Sequence, residues 1–72
     1  MFTGANLRNL REGKRLTQDA ISRRSGISRS TLSRLESGMS VPSIETLVRL
    51  SNSMELPLQK LLFETGILSK SV

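Results

Sequence analysis

Residues 16–38, with the sequence LTQDAISRRSGISRSTLSRLESG, constrain the fold of this chain more than any other segment. Thr17 is suited to the N-cap of a short helix, because its hydroxyl can accept a hydrogen bond from a backbone amide one turn further on. Gly26 is suited to the end of that helix, because glycine readily adopts the positive φ that a sharp turn needs. Ser28 is then placed to cap a second helix. The segment therefore predicts two short helices joined by a tight turn.

The second of these helices is predicted to have one apolar and one polar face. Leu32 and Leu35 are three residues apart and are expected to point into a core. The opposite face carries long cations, short hydroxyls and no bulky apolar residue: Arg29, Ser30, Ser33, Arg34 and Ser37. Such a face suits the major groove of B-DNA, where guanidinium groups pair with guanine and hydroxyls bond bases or phosphates. The pattern is typical of a helix-turn-helix that reads DNA.

Length and composition limit the class of protein. A chain of 72 residues predicts one domain with one core. It has no cysteine and no histidine, so we expect no disulfide framework, no ordinary zinc site and no cofactor. No apolar run approaches the roughly 20 residues that span a bilayer, and the first residues lack a secretory signal pattern. We therefore expect a cytoplasmic protein without membrane contact.

The net charge of +5 is unevenly distributed along the chain. Residues 1–34 contain eight lysines and arginines and two acids, a net charge of +6, whereas residues 35–72 contain three cations and four acids, a net charge of −1. The cationic part includes the predicted helix-turn-helix, as expected of a surface that binds phosphates. The same excess also suits solubility alone, so charge supports the DNA interpretation without establishing it.

Apolar spacing and capping residues predict three further helices. A first helix is expected over about residues 3–14, with Leu7 and Leu10 facing the core. Ser43 is expected to cap a fourth helix, and Pro57 suits the first position of a fifth. The core-facing residues predicted for these last two helices are Ile44, Leu47, Leu50, Ser51, Met54, Leu58, Leu61 and Leu62. The predicted fold class is all-α, with five helices and the helix-turn-helix at helices 2 and 3.

Five sequence strings resemble those of lambda-repressor-like helix-turn-helix proteins of the xenobiotic-response-element type: LR-x-LR at 7–11, LTQ at 16–18, SGIS at 25–28, TLSRLESG at 31–38 and PSIETL at 42–47. Each string is a weak pattern alone, but five in register are hard to obtain by chance. The resemblance covers about residues 4–63. It implies a compact DNA-binding domain, assigned to residues 1–64, followed by a short tail at 65–72.

The resemblance also implies roles for individual residues. Gln18 is expected to bond a phosphate and to support the recognition helix, which is the second helix of the motif. Base contacts are expected from Arg29, Ser30, Ser33 and Arg34, and most of all from Arg29. The other phosphate contacts are expected from Thr17, Ser28, Ser37 and the loop at Met39. Arg11 and Glu36 are expected to form an internal salt bridge.

Departures from the family pattern include three that concern helix ends and the loop after the recognition helix. Arg15 stands where such proteins often have glycine, which leaves the end of the first helix open. Pro57 replaces a frequent serine cap. The loop at residues 39–41 lacks the lysines and arginines that some relatives place against phosphate, so affinity is expected to depend more on dimerisation.

The predicted function is sequence-specific binding of double-stranded operator DNA by a homodimer that regulates transcription, as a repressor or autoregulator. One recognition helix reads few base pairs, so two half-sites about one helical turn apart are expected. Apolar residues in excess of what five short helices cover are expected at the dimer interface: Phe63, Ile67 and Leu68. A partner protein, such as a toxin or RNA polymerase, is compatible with this function.

Three further functions are compatible with the same fold: an antitoxin, a restriction-modification controller protein, and an interaction adaptor that binds no DNA. An enzyme is not expected, because the chain has no histidine or cysteine to act as base or nucleophile and its six acids are scattered. The adaptor is disfavoured because interaction surfaces are rich in aromatic residues, and this chain has only Phe2 and Phe63. The sequence does not distinguish an antitoxin from a controller protein.

Overall fold

The computed structural model describes residues 1–68, which form five α-helices. The helices are α1 (Gly4–Gly13), α2 (Gln18–Ser25), α3 (Arg29–Glu36), α4 (Ile44–Ser53) and α5 (Leu58–Glu64). The predicted all-α fold with a helix-turn-helix at α2 and α3 is confirmed. No helix within residues 1–68 has both the length and the apolar character needed to cross a membrane. The end of the predicted tail, residues 69–72, lies outside the described part of the chain.

Side-chain hydrogen bonds confirm the caps predicted for three helices. The hydroxyl of Thr17 accepts from the amide of Ala20 at 3.0 Å. Ser28 and Ser43 accept from the amides three residues further on, at 3.1 and 3.2 Å. Gly26 caps the C-terminus of α2, and its φ of +78° lies in the left-handed region that glycine adopts at little cost. Local sequence therefore determines where α2 and α3 begin and how the turn between them is made.

The start of α5 lies one residue away from its predicted position. Pro57 occupies the N-cap of α5 rather than its first helical position, and it makes no side-chain cap. The proline ring sets φ near the value that both positions accept, so the sequence did not separate them. Pro57, which stands where the family often has a capping serine, thus leaves the first turn of α5 without a side-chain cap.

The core of the described chain consists of apolar residues from all five helices and the adjoining turns: Leu7, Ile21, Ile27, Leu32, Leu35, Leu47, Leu50, Met54 and Leu61. Most of these were predicted from helical spacing. Leu10, Leu58 and Leu62 are partly buried and pack against them. Burying an apolar side chain of this size contributes about 1.5–3 kcal/mol, so this cluster is the main source of stability in so small a domain.

Ile44 does not join the core, which corrects the prediction made for it. It is the first residue of α4 and is 66% exposed. α4 packs against α2 and α5, and Val41, just before its first turn, is exposed as well. Ile44 keeps the correct spacing to Leu47 but lies beyond the end of the surface that α4 buries.

The chain after α5 is packed against the first residues of the protein. Thr65 is fully buried, and its hydroxyl donates to the carbonyl of Leu61 at 2.7 Å. Its own carbonyl accepts from the amide of Thr3 at 2.7 Å. The Met1 nitrogen donates to the carbonyl of Gly66 at 2.8 Å. The first residues of the predicted tail, Thr65 and Gly66, thus bond to the amino-terminal segment, and the domain boundary after residue 64 stays a prediction.

Gly4 is expected to tolerate no side chain. It is buried, and a Cβ at this position would collide with the backbone carbonyls of Leu35 and Glu36 at the end of α3. Gly4→Ala is therefore expected to lower the free energy of unfolding by about 1–3 kcal/mol, because two backbones must move apart. Urea denaturation measures this change. Gly13→Ala is the matched control, since a Cβ there meets nothing within 4 Å, and equally small effects of both substitutions would contradict the close approach of α1 to α3.

Candidate nucleic-acid interface

A buried ion pair joins α1 to the end of α3. Nε and Nη2 of Arg11 donate to the two carboxylate oxygens of Glu36 at 2.7 and 3.0 Å, and Nη1 donates to the carbonyl of Leu16 at 2.7 Å. The hydrogen bond to Glu36 raises the pKa of Arg11 above its ordinary value, against the opposing effect of desolvation. The expected salt bridge is thus present. Because it is bidentate, it holds the α1–α2 turn and α3 in one fixed relation.

Gln18 supports α3 through the same carboxylate. Its Nε2 donates to Oε1 of Glu36 at 3.0 Å, so Glu36 accepts from both Arg11 and Gln18. An amide nitrogen carries two hydrogens, and this bond uses one of them. The second remains for a phosphate oxygen, which accepts hydrogen bonds and donates none. The supporting role implied for Gln18 is present, and its phosphate contact stays a prediction.

The polar face of α3 is open to solvent. Its four predicted base-reading residues are all exposed: Arg29, Ser30, Ser33 and Arg34. The residues of the opposite face, Leu32 and Leu35, are 1% and 2% exposed. Neither Arg29 nor Arg34 is among the arginines that form ion pairs within residues 1–68, which are Arg8, Arg11, Arg23 and Arg49. Two guanidinium groups and two hydroxyls therefore remain available on a face that the core does not use.

The hydroxyls near this face differ in what they offer to a phosphate. Ser28 donates its hydrogen to Oγ1 of Thr31 at 2.9 Å, and Ser37 donates to the carbonyl of Arg34 at 3.2 Å. Both hydrogens are therefore used within the protein. Thr17 accepts in its cap and keeps its hydrogen. Thr31 likewise keeps its own hydrogen and is exposed, so the arrangement favours Thr17 and Thr31 over Ser28 and Ser37 as phosphate donors.

Sequence reasoning did not single out Thr31. The signal that finds it is the spacing of three residues between Ser28 and Thr31, which lets an N-cap hydroxyl bond a side chain in the first turn as well as a backbone amide. Because Ser28 donates its hydrogen to Thr31, the hydroxyl hydrogen that remains available to DNA is that of Thr31 and not that of Ser28.

The loop after α3 offers fewer amides than expected. The amides of Gly38 and Met39 donate to the carbonyls of Leu35 and Arg34 at 3.2 and 2.9 Å. These bonds close the end of α3 around Gly38, whose φ is +81°. The Met39 amide, expected at a phosphate, is therefore already bonded inside the protein. Within residues 1–68, the next loop amide without a backbone acceptor is that of Ser40.

Apart from Met1, the large exposed apolar residues of the described chain fall into two groups along the sequence. One lies at the end of α5 and comprises the residues predicted for the dimer interface: Phe63, Ile67 and Leu68, which are 43%, 37% and 43% exposed. The amides of Ile67 and Leu68 both donate to the carbonyl of Leu62, at 2.9 and 3.0 Å, so this surface has a defined backbone. The other surface lies around the loop before α4 and comprises Met39, Val41, Ile44 and Val48.

The five helices, with an exposed recognition helix held by a buried ion pair, define a helix-turn-helix domain of the lambda-repressor-like type. A family model described as "Helix-turn-helix" matches residues 7–61. The chain therefore belongs to this helix-turn-helix family of DNA-binding transcriptional regulators. The predicted family and fold are confirmed.

Individual relatives are regulators as well. The HTH-type transcriptional repressor RghR of Bacillus subtilis (strain 168) is 32% identical over 68 residues, which are 93% of this chain and 50% of RghR, so the chain spans half the length of that relative. The restriction-modification controller protein C.AhdI of Aeromonas hydrophila has a TM-score of 0.76 at 29% identity, covering 81% of this chain and 88% of its own. The DNA-binding domain of the P22 C2 repressor has a TM-score of 0.78 at 26% identity, covering 100% of this chain and 92% of its own. These relatives belong to a family of transcriptional regulators rather than of enzymes.

Proposed function

We propose that this protein regulates transcription, as a repressor or autoregulator, by binding a palindromic double-stranded operator as a homodimer. The observation that carries the proposal is the exposed face of α3, where cations and hydroxyls keep their donors while the opposite face is buried. Arg29 and Ser30 lie in the first turn of α3, the end that contacts base edges in helix-turn-helix proteins. The similarity to the repressor RghR favours repression over activation.

In this proposal, base contacts and phosphate contacts have separate tasks. Arg29 reads a guanine through bidentate bonds to O6 and N7, with Ser30, Ser33 and Arg34 beside it. Gln18 and Thr17 bind phosphates and set the position of the protein on the duplex. Because Gln18 is bonded to Glu36 at the end of α3, a phosphate held by Gln18 also sets the depth at which α3 enters the groove.

A second copy of the chain supplies the second recognition helix. A two-fold axis uses the same surface of both copies, and we assign that surface to Phe63, Ile67 and Leu68 at the end of α5. Their exposure supports this assignment, since large apolar side chains grouped on a small domain mark an interaction site. The two copies of α3 then face half-sites about 34 Å apart.

A second candidate is a restriction-modification controller protein, which the similarity to C.AhdI favours because the chain covers 88% of that protein. This role involves the same kind of operator binding. A reporter gene placed behind the bound operator shows whether binding represses or activates transcription, since repression lowers the expression of the reporter and activation raises it.

Selection of bound duplexes from a random pool tests the proposed function most directly. The expected product is a palindrome whose half-sites lie about 10 base pairs apart. Binding is also expected to fall steeply as salt is added, because neutralised phosphates release counterions. A pool without enrichment contradicts DNA binding, an asymmetric site contradicts the homodimer, and a flat salt titration favours the adaptor.

On the selected duplex, Arg29→Ala is expected to weaken binding by about 1–3 kcal/mol and to relax the choice of one base pair. Gln18→Ala should instead weaken binding to selected and random duplexes alike, since it holds phosphate. Arg23→Ala is the matched control, because Arg23 is an exposed arginine of α2 that pairs with Asp19 at 3.4 Å. Gel shifts measure all three variants, and equal losses on both duplexes for Arg29→Ala would remove its reading role.

A further inference from the structure

The arginines of the described chain differ in whether their guanidinium groups already have an ion-pair or hydrogen-bond partner within the protein. Those in ion pairs are Arg8, Arg11, Arg23 and Arg49. Arg24 donates to the carbonyl of Ser53 at 3.2 Å. Within residues 1–68, the arginines whose side chains have no protein partner are Arg15, Arg29 and Arg34. The last two lie on the DNA-facing surface of α3, whereas Arg15 lies in the turn between α1 and α2.

Arg15 has a backbone conformation that is costly for arginine. Its φ of +58° lies in the left-handed region, where a side chain crowds the backbone and glycine does not. The turn is well bonded, since the amide of Arg15 donates to the carbonyl of Glu12 at 2.9 Å. The side chain itself is exposed. The left-handed conformation itself closes the end of α1, where the amide of Leu16 also donates to the carbonyl of Arg11 at 3.2 Å and where glycine is the least costly residue. What the fold does not use is the exposed, unpaired guanidinium group of Arg15, which is therefore available to a partner outside the domain.

The turn that carries Arg15 is tied directly to α3. The carbonyl of Leu16, the next residue, accepts from Arg11, and the same guanidinium group binds Glu36 at the end of α3. Gln18, three residues after Arg15, binds that carboxylate as well. One network of hydrogen bonds therefore keeps Arg15 close to a residue that the proposed function places against phosphate.

The neighbouring cation, Lys14, belongs to a different surface. Its side chain lines an open groove of about 370 Å³ between α1 and α5, together with Leu10, Leu56 and Lys60. Arg15 does not line this groove. Of the two adjacent cations, Arg15 is thus the one that can extend the phosphate-binding surface beyond α2 and α3.

We infer that Arg15 binds a backbone phosphate of the operator and adds affinity without adding base specificity. The inference rests on the proposed function, since it requires DNA in contact with α3. A guanidinium group binds phosphate through charge-assisted, bidentate hydrogen bonds. Log affinity falls linearly with log salt concentration, and each phosphate neutralised in this way makes that slope steeper by about 0.9. The contact therefore has a measurable signature.

The test measures the affinity of three Arg15 variants for the selected operator and for a random duplex, over a range of salt concentrations. Arg15→Gly and Arg15→Asn remove the charge and accept the left-handed conformation. Because the homodimer carries two copies of Arg15, both variants are expected to lose about 25-fold to 100-fold in affinity at 0.1 M salt on either duplex, and about 1.8 from the steepness of the salt dependence. Arg15→Lys keeps the charge and is expected to keep the slope.

Glu55→Gly is the matched control for backbone strain. Within residues 1–68, Glu55 is the other non-glycine residue with a positive φ, at +55°, and it is exposed in the turn before α5. Arg15→Gly and Glu55→Gly are both expected to raise Tm by about 2–5 °C, because the relieved strain exceeds the added chain entropy of glycine. Of these two, only Arg15→Gly should weaken DNA binding, which separates a lost contact from a lost fold.

Three results would overturn this inference. If the unaltered protein binds the operator and Arg15→Gly binds it with the same affinity and slope, Arg15 makes no phosphate contact. A loss confined to the selected operator would assign Arg15 to base reading instead. If the unaltered protein binds no duplex, the proposed function itself fails, and the inference fails with it.

Discussion

Glu36→Leu is expected to lower the free energy of unfolding by about 3–5 kcal/mol, because it leaves the guanidinium group of Arg11 buried without its counter-ion. The Arg11 side chain is 10% exposed, and Glu36 accepts two of its three hydrogen bonds as well as one from Gln18. Small domains have a total stability of about 5–15 kcal/mol. The substitution therefore removes a large share of it, which urea denaturation followed by circular dichroism measures.

The double variant Arg11→Met, Glu36→Leu shows whether the buried charge is the cause. Replacing both partners of a buried ion pair with apolar residues is often close to neutral, so the double variant should regain much of the lost stability. Any part of the free energy of unfolding that the double variant does not regain measures the loss of the hydrogen bonds that join Arg11 to Leu16 and Gln18 to Glu36. Glu45→Gln is the surface control, since Glu45 is exposed and pairs with Arg49 at 3.0 Å, and it should cost less than about 1 kcal/mol. A double variant no more stable than Glu36→Leu would show that packing, not charge, holds this site.

The double variant Ile67→Asp, Leu68→Asp is expected to be monomeric and to bind the palindromic operator about 10²–10⁴-fold more weakly. Joining two DNA-binding domains in one dimer raises the affinity by about this factor, because binding of the second domain becomes intramolecular. The two side chains are 37% and 43% exposed, and the bonds from their amides to Leu62 involve backbone atoms alone, so we expect the domain to stay folded. Light scattering gives the oligomeric state, and gel shifts give the affinity.

Ile44→Asp is the control for the dimer surface. Ile44 belongs to the other exposed apolar surface, around the loop before α4, and is 66% exposed. This variant is expected to remain dimeric. A double variant at residues 67 and 68 that is as dimeric as the unaltered protein removes the assignment, and a monomeric Ile44→Asp would move the interface to the start of α4.

The helices and the exposed polar face of α3 were predictable because the interactions that define them are local. Thr17, Gly26 and Ser28 act on backbone groups within a few residues, and the alternation of Leu32 and Leu35 with Arg29 and Ser33 follows from the helical period. The sequence analysis did not identify the hydrogen bonds that decide which hydroxyls and amides remain for phosphate. The spacing of Ser28 and Thr31 permits their hydrogen bond, but only the side-chain rotamers and the path of the loop decide that Ser28 donates to Thr31 and that the Met39 amide donates to Arg34.

Residue order alone specifies the class of fold, the positions of the caps and the chemical character of the recognition helix, since helical periodicity and capping act over four residues or fewer. Packing between distant segments leaves Ile44 outside the core, buries Thr65 against Thr3 and brings Gly4 to the end of α3. It also joins Gln18 and the Arg15 turn to α3 through Glu36. The hydrogen bonds behind these arrangements link residues 18 to 62 positions apart, and only close packing selects which distant groups meet.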